Sequence, residues 1–456
     1  MSLVDKANLV SKLTTVVNTA FETGSYTVDD VLSTALSMNA LSEINIVRSD
    51  SVDALPNLKY YNSPNAMIYY VNSIDIFAVS SNLKWLTLDG RLLRQDSLYG
   101  KIWSWGNNCS GQLGDNTTIS KSSPGLAVDR FSDWCQISAG ECHSLAVRTN
   151  GTAWAWGAGS FGRLGDNTAV TKSSPVAVVG GFTDWCQLSA GCDHSIGVRI
   201  NGSAWAWGAN PFGQLGDNTT ISKSSPVSVI SGATGWCRVS AGLGFSNGVR
   251  ANGGASAWGN SGSGRLGDNS IVNKSSPALI SGGFTDWCQT SAGSIHSLGL
   301  RTNGSLWAWG CNATGQLGDN TTVSKSSPVS VVGGFTDWCQ VSAGCYHSLG
   351  VRCNGSAWAW GSGCCGRLGD NTTVSKSSPV SVVGGFTDWC QVSAGICHSL
   401  AVRTNGTAWA WGVALCGRLG DNTTTNNSSP VSVVGGFTNW CRVSAGNDHS
   451  LGIISL

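Results

Sequence analysis

Charge is scarce in this chain. Of 456 residues only 12% are Asp, Glu, Lys or Arg, and the formal net charge is +1. A protein that neutralises a phosphate backbone needs a basic surplus, so nucleic acid is not an expected partner. Long apolar runs are missing too, and none reaches the roughly 18–20 residues of a membrane-spanning helix. Residues 1–20 interleave Asp5, Lys6, Asn8 and Lys12 with apolar positions. That is not the basic start and unbroken apolar core of a signal peptide. No Cys-x-x-Cys pair has a partner at zinc-finger spacing. No Ser-His-Asp order and no paired carboxylates recur. Neither a metal, a cofactor nor catalytic residues are expected, and the protein reads as a non-enzyme.

What is abundant is Gly (60), Trp (21) and Cys (17), a composition of short strands joined by tight turns. The glycine of a Trp-Gly step falls at Gly106, Gly157, Gly208, Gly259, Gly310, Gly361 and Gly412, an interval of 51 residues each time. A period near 50 belongs to propellers and solenoids. Within one copy the pattern predicts strands at Trp389–Ser393, His398–Arg403, Thr407–Trp411 and Val431–Val434. Asn405-Gly406 joins the second and third, because both central turn residues tolerate positive φ. Four short antiparallel strands per repeat describe a propeller blade, which must stack on its neighbours to bury both faces. Alternation puts Trp409 and Trp411 on one face of their strand. One copy departs, with Ser256 in place of the first Trp. The last copy breaks off after its second strand, and Lys101 to Trp105 supplies the missing third. The expected fold is therefore mainly β: a seven-bladed propeller over 99–456, closed by pairing its two ends, which leaves few free strand edges.

Seven cysteines follow a Trp, from Cys135 to Cys441 at the repeat interval. They read as small buried apolar residues. Cys353 lies beside a turn. The thiols are expected to be mostly reduced, with no disulfide scaffold. Residues 1–98 carry no repeat and read as a separate α+β domain. Leu3, Leu9, Leu13, Val16, Val17 and Ala20 form a helical stripe, a second helix runs from about Val28 to Ala40, and strands fall at Ile44–Arg48, Ala66–Val71, Ile74–Val79 and Trp85–Leu88. An anchoring or oligomerising role suits this segment.

The repeat resembles that of the regulator of chromosome condensation family, of the form A-G-x-x-H-S-L-A-V, N-G, W-x-W-G and G-x-L-G. Here these stand at Ala139 to Val147, Asn150-Gly151, Trp154 to Gly157 and Gly162 to Gly165. The resemblance implies a seven-bladed propeller. It also raises regulation of a small GTPase, but that activity depends on an inserted wedge, and every copy here is 51 residues long. Separately, Ile68 to Arg94 resembles segments of tail-fibre and other virion proteins of tailed bacteriophages.

Two recurrent polar positions read as structural. His143, His194, His296, His347, His398 and His449 share one strand position, which Phe245 fills in the remaining copy; a site that accepts a phenyl ring is not a metal ligand set, and the His is expected to bond a neighbouring backbone group. The Gly-Asp-Asn text, as at Gly114-Asp115-Asn116, offers one carboxylate per loop where calcium wants six to eight oxygens, so it reads as a turn.

The copies differ in two slots. After Trp-Gly the text reads NNCS, AGSF, ANPF, NSGS, CNAT, SGCC and VALC; after Ala-Gly it reads EC, CD, LG, SI, CY, IC and ND. Both slots follow strands that run the same way, so both open on one face of the disc. The loops of the other face, such as Gly-Gly-Phe-Thr-Asp, scarcely change. Variable loops on a fixed scaffold are the usual place for recognition. The binding residues expected there are Asn107, Asn108, Cys109, Ser110, Glu141 and Cys142; Ser160, Phe161, Cys192 and Asp193; Pro211, Phe212, Leu243 and Phe245; Ser263, Ser294 and Ile295; Cys311, Asn312, Thr314, Cys345 and Tyr346; Cys364, Cys365, Ile396 and Cys397; and Leu415, Cys416, Asn447 and Asp448. Lys, Gln, Met and Trp are absent from the slots and Glu appears once. These are the five residues whose codons never end in a pyrimidine, a pattern expected of targeted diversification, as by a diversity-generating retroelement. The function expected is recognition of a host-surface protein or glycan, or another macromolecule, by a phage-like virion component anchored through residues 1–98. A purely structural decoration protein is the alternative.

Overall fold

The computed structural model describes residues 46–49, 68–71, 76–81, 84–87, 99–127, 131–230 and 235–455. Contacts divide the chain into units 1–98 and 99–456. In the first, Ile46–Ser49, Ile68–Val71, Ile76–Ser81 and Lys84–Thr87 form one sheet in chain order. Its first pair is parallel and the others antiparallel. The two expected helices lie outside the described residues.

The second unit is a ring of seven four-stranded antiparallel blades. A representative blade runs Trp389–Ala394, His398–Arg403, Ala408–Gly412 and Asn427–Ser432. Its fourth strand starts four residues earlier than the apolar pattern suggested. Pro430 sits inside it without cost because this is the outer edge strand, where a ladder N–H is dispensable. The closing blade joins Trp440–Ala445 and His449–Ser455 to Gly100–Gly106 and Lys121–Leu126. Gly106 to Gly100 pairs with His449 to Ser455 over seven consecutive residues. The ends of the array are thus stitched by a full strand pair.

Packing runs between blades. Trp389 and Trp411 of one blade bury against Leu349, Val351, Ala357, Ala359, Leu368 and Val382 of the preceding one. Trp409 and Trp411 both contact Trp389, at 6.4 and 6.2 Å between ring centroids, as the alternation required. The Trp411 Nε1–H donates across the seam to the Arg367 carbonyl at 2.9 Å. On the slot-free face, Phe386 packs on Trp409 and under Arg403, which pairs with Asp388 at 2.8 Å. That shared cluster explains why the Phe-Thr-Asp text of this face scarcely varies.

The histidines stitch the same seams. Each is fully buried, and Nε2 of His398 meets Ser450 Oγ of the next blade at 2.9 Å. The Ser450 hydroxyl donates onward to the Arg418 carbonyl at 2.8 Å, so the imidazole Nε2 is the donor; burial, with no partner at Nδ1 among the described residues, keeps the ring neutral. His449 reaches Ser144 at 2.9 Å, closing the series. The histidine partner is therefore a serine hydroxyl rather than the expected backbone group. Burial in first place, with nearby guanidinium groups second, depresses His194, His296 and His449 to about 3.

The cysteines after Trp are not the small buried core residues expected. Cys186, Cys237 and Cys390 are exposed, and Cys135, Cys288 and Cys441 are half-buried. The register explains this: Trp185 pairs with Arg199 and Gln187 with Val198, so Cys186 is the extra residue of a β-bulge. Its thiol points to the Val198 carbonyl at 3.3 Å. In one blade that bulge cysteine, Cys339, is joined to Cys353 in a disulfide.

Candidate functional site: the variable face

Backbone hydrogen bonds fasten the two slots of each blade together. The amide of the first residue after Trp-Gly donates to the carbonyl of the second residue after Ala-Gly: Asn107 to Asp448 at 2.8 Å, Ser362 to Tyr346 at 2.8 Å and Val413 to Cys397 at 2.9 Å. Neighbouring blades are linked in turn. Glu141 N–H donates to the Gly191 carbonyl at 3.2 Å, and the pattern passes round the ring until Asn447 donates to Gly140 at 3.1 Å. Both sets of variable residues therefore occupy one face around the central hole. A cavity of about 210 Å³ opens there, walled by the Ala-Gly steps and rimmed by the first slot residues, from Glu141 to Asn447. Glycine is required at the rim: a Cβ on Gly140 would lie 2.7 Å from His143 Cε1 and 2.6 Å from the Gly191 carbonyl.

The four-residue slots divide into two loop types. In three copies the second residue is a fully buried Asn, at 108, 210 and 312. Asn108 Oδ1 accepts from Leu113 N–H at 2.9 Å, and its Nδ2 donates to Asp115 at 3.0 Å and to the Thr117 carbonyl at 3.1 Å. Asp115 in turn accepts from the Thr117 amide and hydroxyl at 3.0 and 2.8 Å, which is the turn role expected of the Gly-Asp-Asn text. A Gln follows each of these slots, and Gln112 Oε1 accepts from Ser110 N–H at 2.9 Å. In the other four copies an Arg stands in place of Gln. Arg163, Arg265, Arg367 and Arg418 are buried and reach back to the third slot carbonyl, as Arg163 Nε to Ser160 at 3.1 Å. They also reach across to the next blade, as Arg163 Nη1 to the Cys192 carbonyl at 3.1 Å. Here the fourth slot residue takes positive φ: Phe161 60°, Ser263 59°, Cys365 58° and Cys416 59°.

The expected site residues separate accordingly. Asn108 and Asn312 are buried loop frame, and Phe245 is buried in the histidine position with no exposure; these three are not available to a partner. Cys345 is also buried, at the rim of the central cavity. Cys109, Ser160, Pro211, Ser263, Cys364 and Leu415 are exposed, while Asn107, Ser110, Cys142, Cys192, Ser294, Ile295, Cys311, Thr314, Cys365, Ile396, Cys397, Cys416 and Asn447 are half-buried. Phe161, Leu415, Tyr346, Leu243 and Phe212 are the large apolar slot residues that stay exposed, between 39% and 63%. Phe161, Pro211, Phe212 and Leu243 also line a cleft of about 450 Å³ with Asp193, Asn260 and Arg265. The framing Gln and Arg residues were missed from sequence. Their signal was there, since Asn at the second slot position goes with Gln and every other residue there with Arg.

Acidic groups cluster beside that cleft. Glu141, Cys192 and Asp193 bring three donor atoms within 4.8 Å of one another, and the Cys192 thiol contacts the Glu141 carboxylate. Arg163 pairs with Asp193 at 2.5 Å and Arg418 with Asp448 at 2.8 Å. Burial, with Asp193 next in size, pushes the Glu141 carboxyl above its ordinary range. Burial and the neighbouring Glu141 push the Cys142 thiol up to about 11, so it is protonated near neutrality and a poor nucleophile.

The family model of the RCC1-like domain matches residues 101–452. The Arabidopsis thaliana Ultraviolet-B receptor UVR8 is 27% identical over 340 residues, covering 72% of this chain and 76% of the receptor. The human E3 ubiquitin-protein ligase HERC2 is 29% identical over 276 residues, 58% of this chain and 5% of the ligase. This chain therefore spans only a small part of the ligase. Among solved structures, human WBSCR16 superposes with a TM-score of 0.70 at 19% identity, over 78% of this chain and 98% of that one. Yeast RCC1 (Prp20), bound to Kap60, does so at 0.70 and 20% identity, over 79% and 91%. The structural matches speak for the fold.

Proposed function

We propose, for a chain that belongs to the RCC1-like domain family, that the propeller is a non-enzymatic recognition module whose variable face binds a macromolecular partner, in the first place a protein. The observation that carries this is the segregation of variation. The exposed slot residues are tethered side by side on one face by main-chain hydrogen bonds, while the Trp, His, Gly and Asp residues that fix the blade repeat almost unchanged. A rigid frame with a variable rim lets a partner be chosen by side chains alone, at little ordering cost on binding. Family relatives serve as receptors or as parts of larger ligases by their names, and the yeast propeller stands bound to another protein. The finer reading places this chain on a phage-like particle, anchored through residues 1–98 and presenting the variable face to a host surface. The resemblance of Ile68 to Arg94 to virion proteins and the restricted slot alphabet support it.

The test exchanges the exposed slot residues of one blade for those of another, blade by blade. Partner choice, read as affinity for a partner selected on the unaltered chain, is expected to change. Unfolding temperature should stay within a few degrees, because surface substitutions away from special features shift stability by about 0.5 kcal/mol or less. Affinity that survives every exchange around the ring contradicts the proposal.

A further inference from the structure

The variable face is not uniform. Its exposed phenyl rings, Phe161 and Phe212, fall in neighbouring blades and share one cleft with Pro211 and Leu243. Aromatic side chains lining a concave site are the usual anchors of a protein interface. The cleft also carries Asp193 on its wall, and Asp193 places its carboxylate within 4.8 Å of that of Glu141. Glu141 in turn feels Asp448 of the adjoining blade. The slots contain no Lys, Arg or His at all. The cations of this sector, Arg163, Arg265 and Arg418, are buried, Arg265 against the cleft itself, while Asp193 and Asp448, the partners of Arg163 and Arg418, are 40% and 35% exposed. What the sector offers outward is therefore apolar surface edged by carboxylates.

Resting on the recognition reading above, we propose that this sector is the anchoring point of the face and takes a protein segment in which a Lys or Arg stands beside a large apolar side chain. The apolar group enters the Phe161–Phe212–Leu243 cleft. The cation meets Asp193 and Glu141, the latter half-buried, with Arg163 near enough to act on it but paired with Asp193. A neutral glycan would stack on the phenyl rings but bring no cation to the carboxylates, and a second copy of this face would set carboxylate against carboxylate.

The test selects a displayed random peptide library on the full chain. Enriched peptides are expected to carry a Lys or Arg within two residues of a Phe, Trp or Leu. Their affinity is expected to fall about 10-fold or more in Phe212→Ala and about 5-fold in Glu141→Gln, with the Glu141 effect fading at high salt. Tyr346→Ala and Leu415→Ala, which do not line the cleft, are expected to change affinity by less than about 2-fold. Unfolding temperatures of all four variants exclude misfolding as the cause. Peptides without basic residues, or insensitive to Phe212→Ala and Glu141→Gln, overturn the proposal. If they respond to Tyr346→Ala or Leu415→Ala instead, recognition by the variable face stands and the anchoring sector does not. If no variant on the face moves them, both readings fall. Binding of a glycan array, or self-association of the chain, that Phe212→Ala abolishes makes the occupant a sugar or a second copy and also overturns it.

Discussion

The blade that departs from its siblings shows how one residue constrains another. Phe245 removes the histidine that would donate to Ser297 of the next blade. Asn247, where the other copies have Leu or Ile, donates to Ser297 Oγ at 3.4 Å. It leaves its own Oδ1 without a partner among the described residues. Asn247 thus stands in for the missing imidazole, imperfectly. Restoring both repeat residues, Phe245→His with Asn247→Leu, is expected to raise unfolding stability by about 1–3 kcal/mol, since a buried unsatisfied polar atom costs about that much. Chemical denaturation reads it, and a double-mutant cycle should show coupling between the two sites. The same scale separates frame from address within a slot. Asn108→Ala removes the acceptor of Leu113 N–H and is expected to cost about 2 kcal/mol or more. Cys109→Ala, its exposed neighbour, is expected to change stability by no more than about 0.5 kcal/mol. Sequence comparison of the copies treated these two positions alike, because variability reports difference between copies and not burial.

At the scale of the element, strand order and most boundaries were legible, because Trp-x-Trp alternation and Asn-Gly turns are local signals. The bulge after each first Trp was not. A bulge inserts a residue without altering the alternation visible on either side, so Cys186 read as core when it is the extra residue turned outward. One bulge cysteine has acquired a partner: Cys353 occupies a position that is Thr in other blades, such as Thr149, Thr302 and Thr404, and is bonded to Cys339 across a separation of 14 residues. A loop of that length is worth about 3 kcal/mol at most. Cys353→Thr should lower the unfolding temperature under non-reducing conditions. Reductant should lower that of the original chain towards the variant's and leave the variant unchanged.

For the whole molecule, ring closure was readable from the text, since the last copy stops after two strands and the array begins with the remaining two. The His–Ser stitching across six of the seven seams was not, because contacts 52 residues apart are set by how blades stack rather than by local pattern. It has a consequence for acid stability. His194, His296 and His449 hold pKa values near 3 in the folded ring, and His143, His347 and His398 lie well below 6.5. The unfolded chain takes up those protons near pH 6.5. The histidine contribution to stability should therefore be flat above about pH 6.5 and fall as the pH drops from there towards 3, by about 1.4 kcal/mol per pH unit for each His. His296→Phe, which copies the natural Phe245 into a second blade, should reduce that slope by about a sixth, as unfolding measured between pH 7.5 and 5 would show.

The most direct test of the recognition surface is a hydrogen-exchange footprint of the full chain with a selected protein partner. Slowed exchange is predicted in the slot segments, around 141–142, 158–161, 192–193 and 209–212, with the Gly-Gly-Phe-Thr-Asp loops unchanged. Protection confined to those constant loops, with the slots exchanging as in the free protein, would contradict the assignment of the variable face.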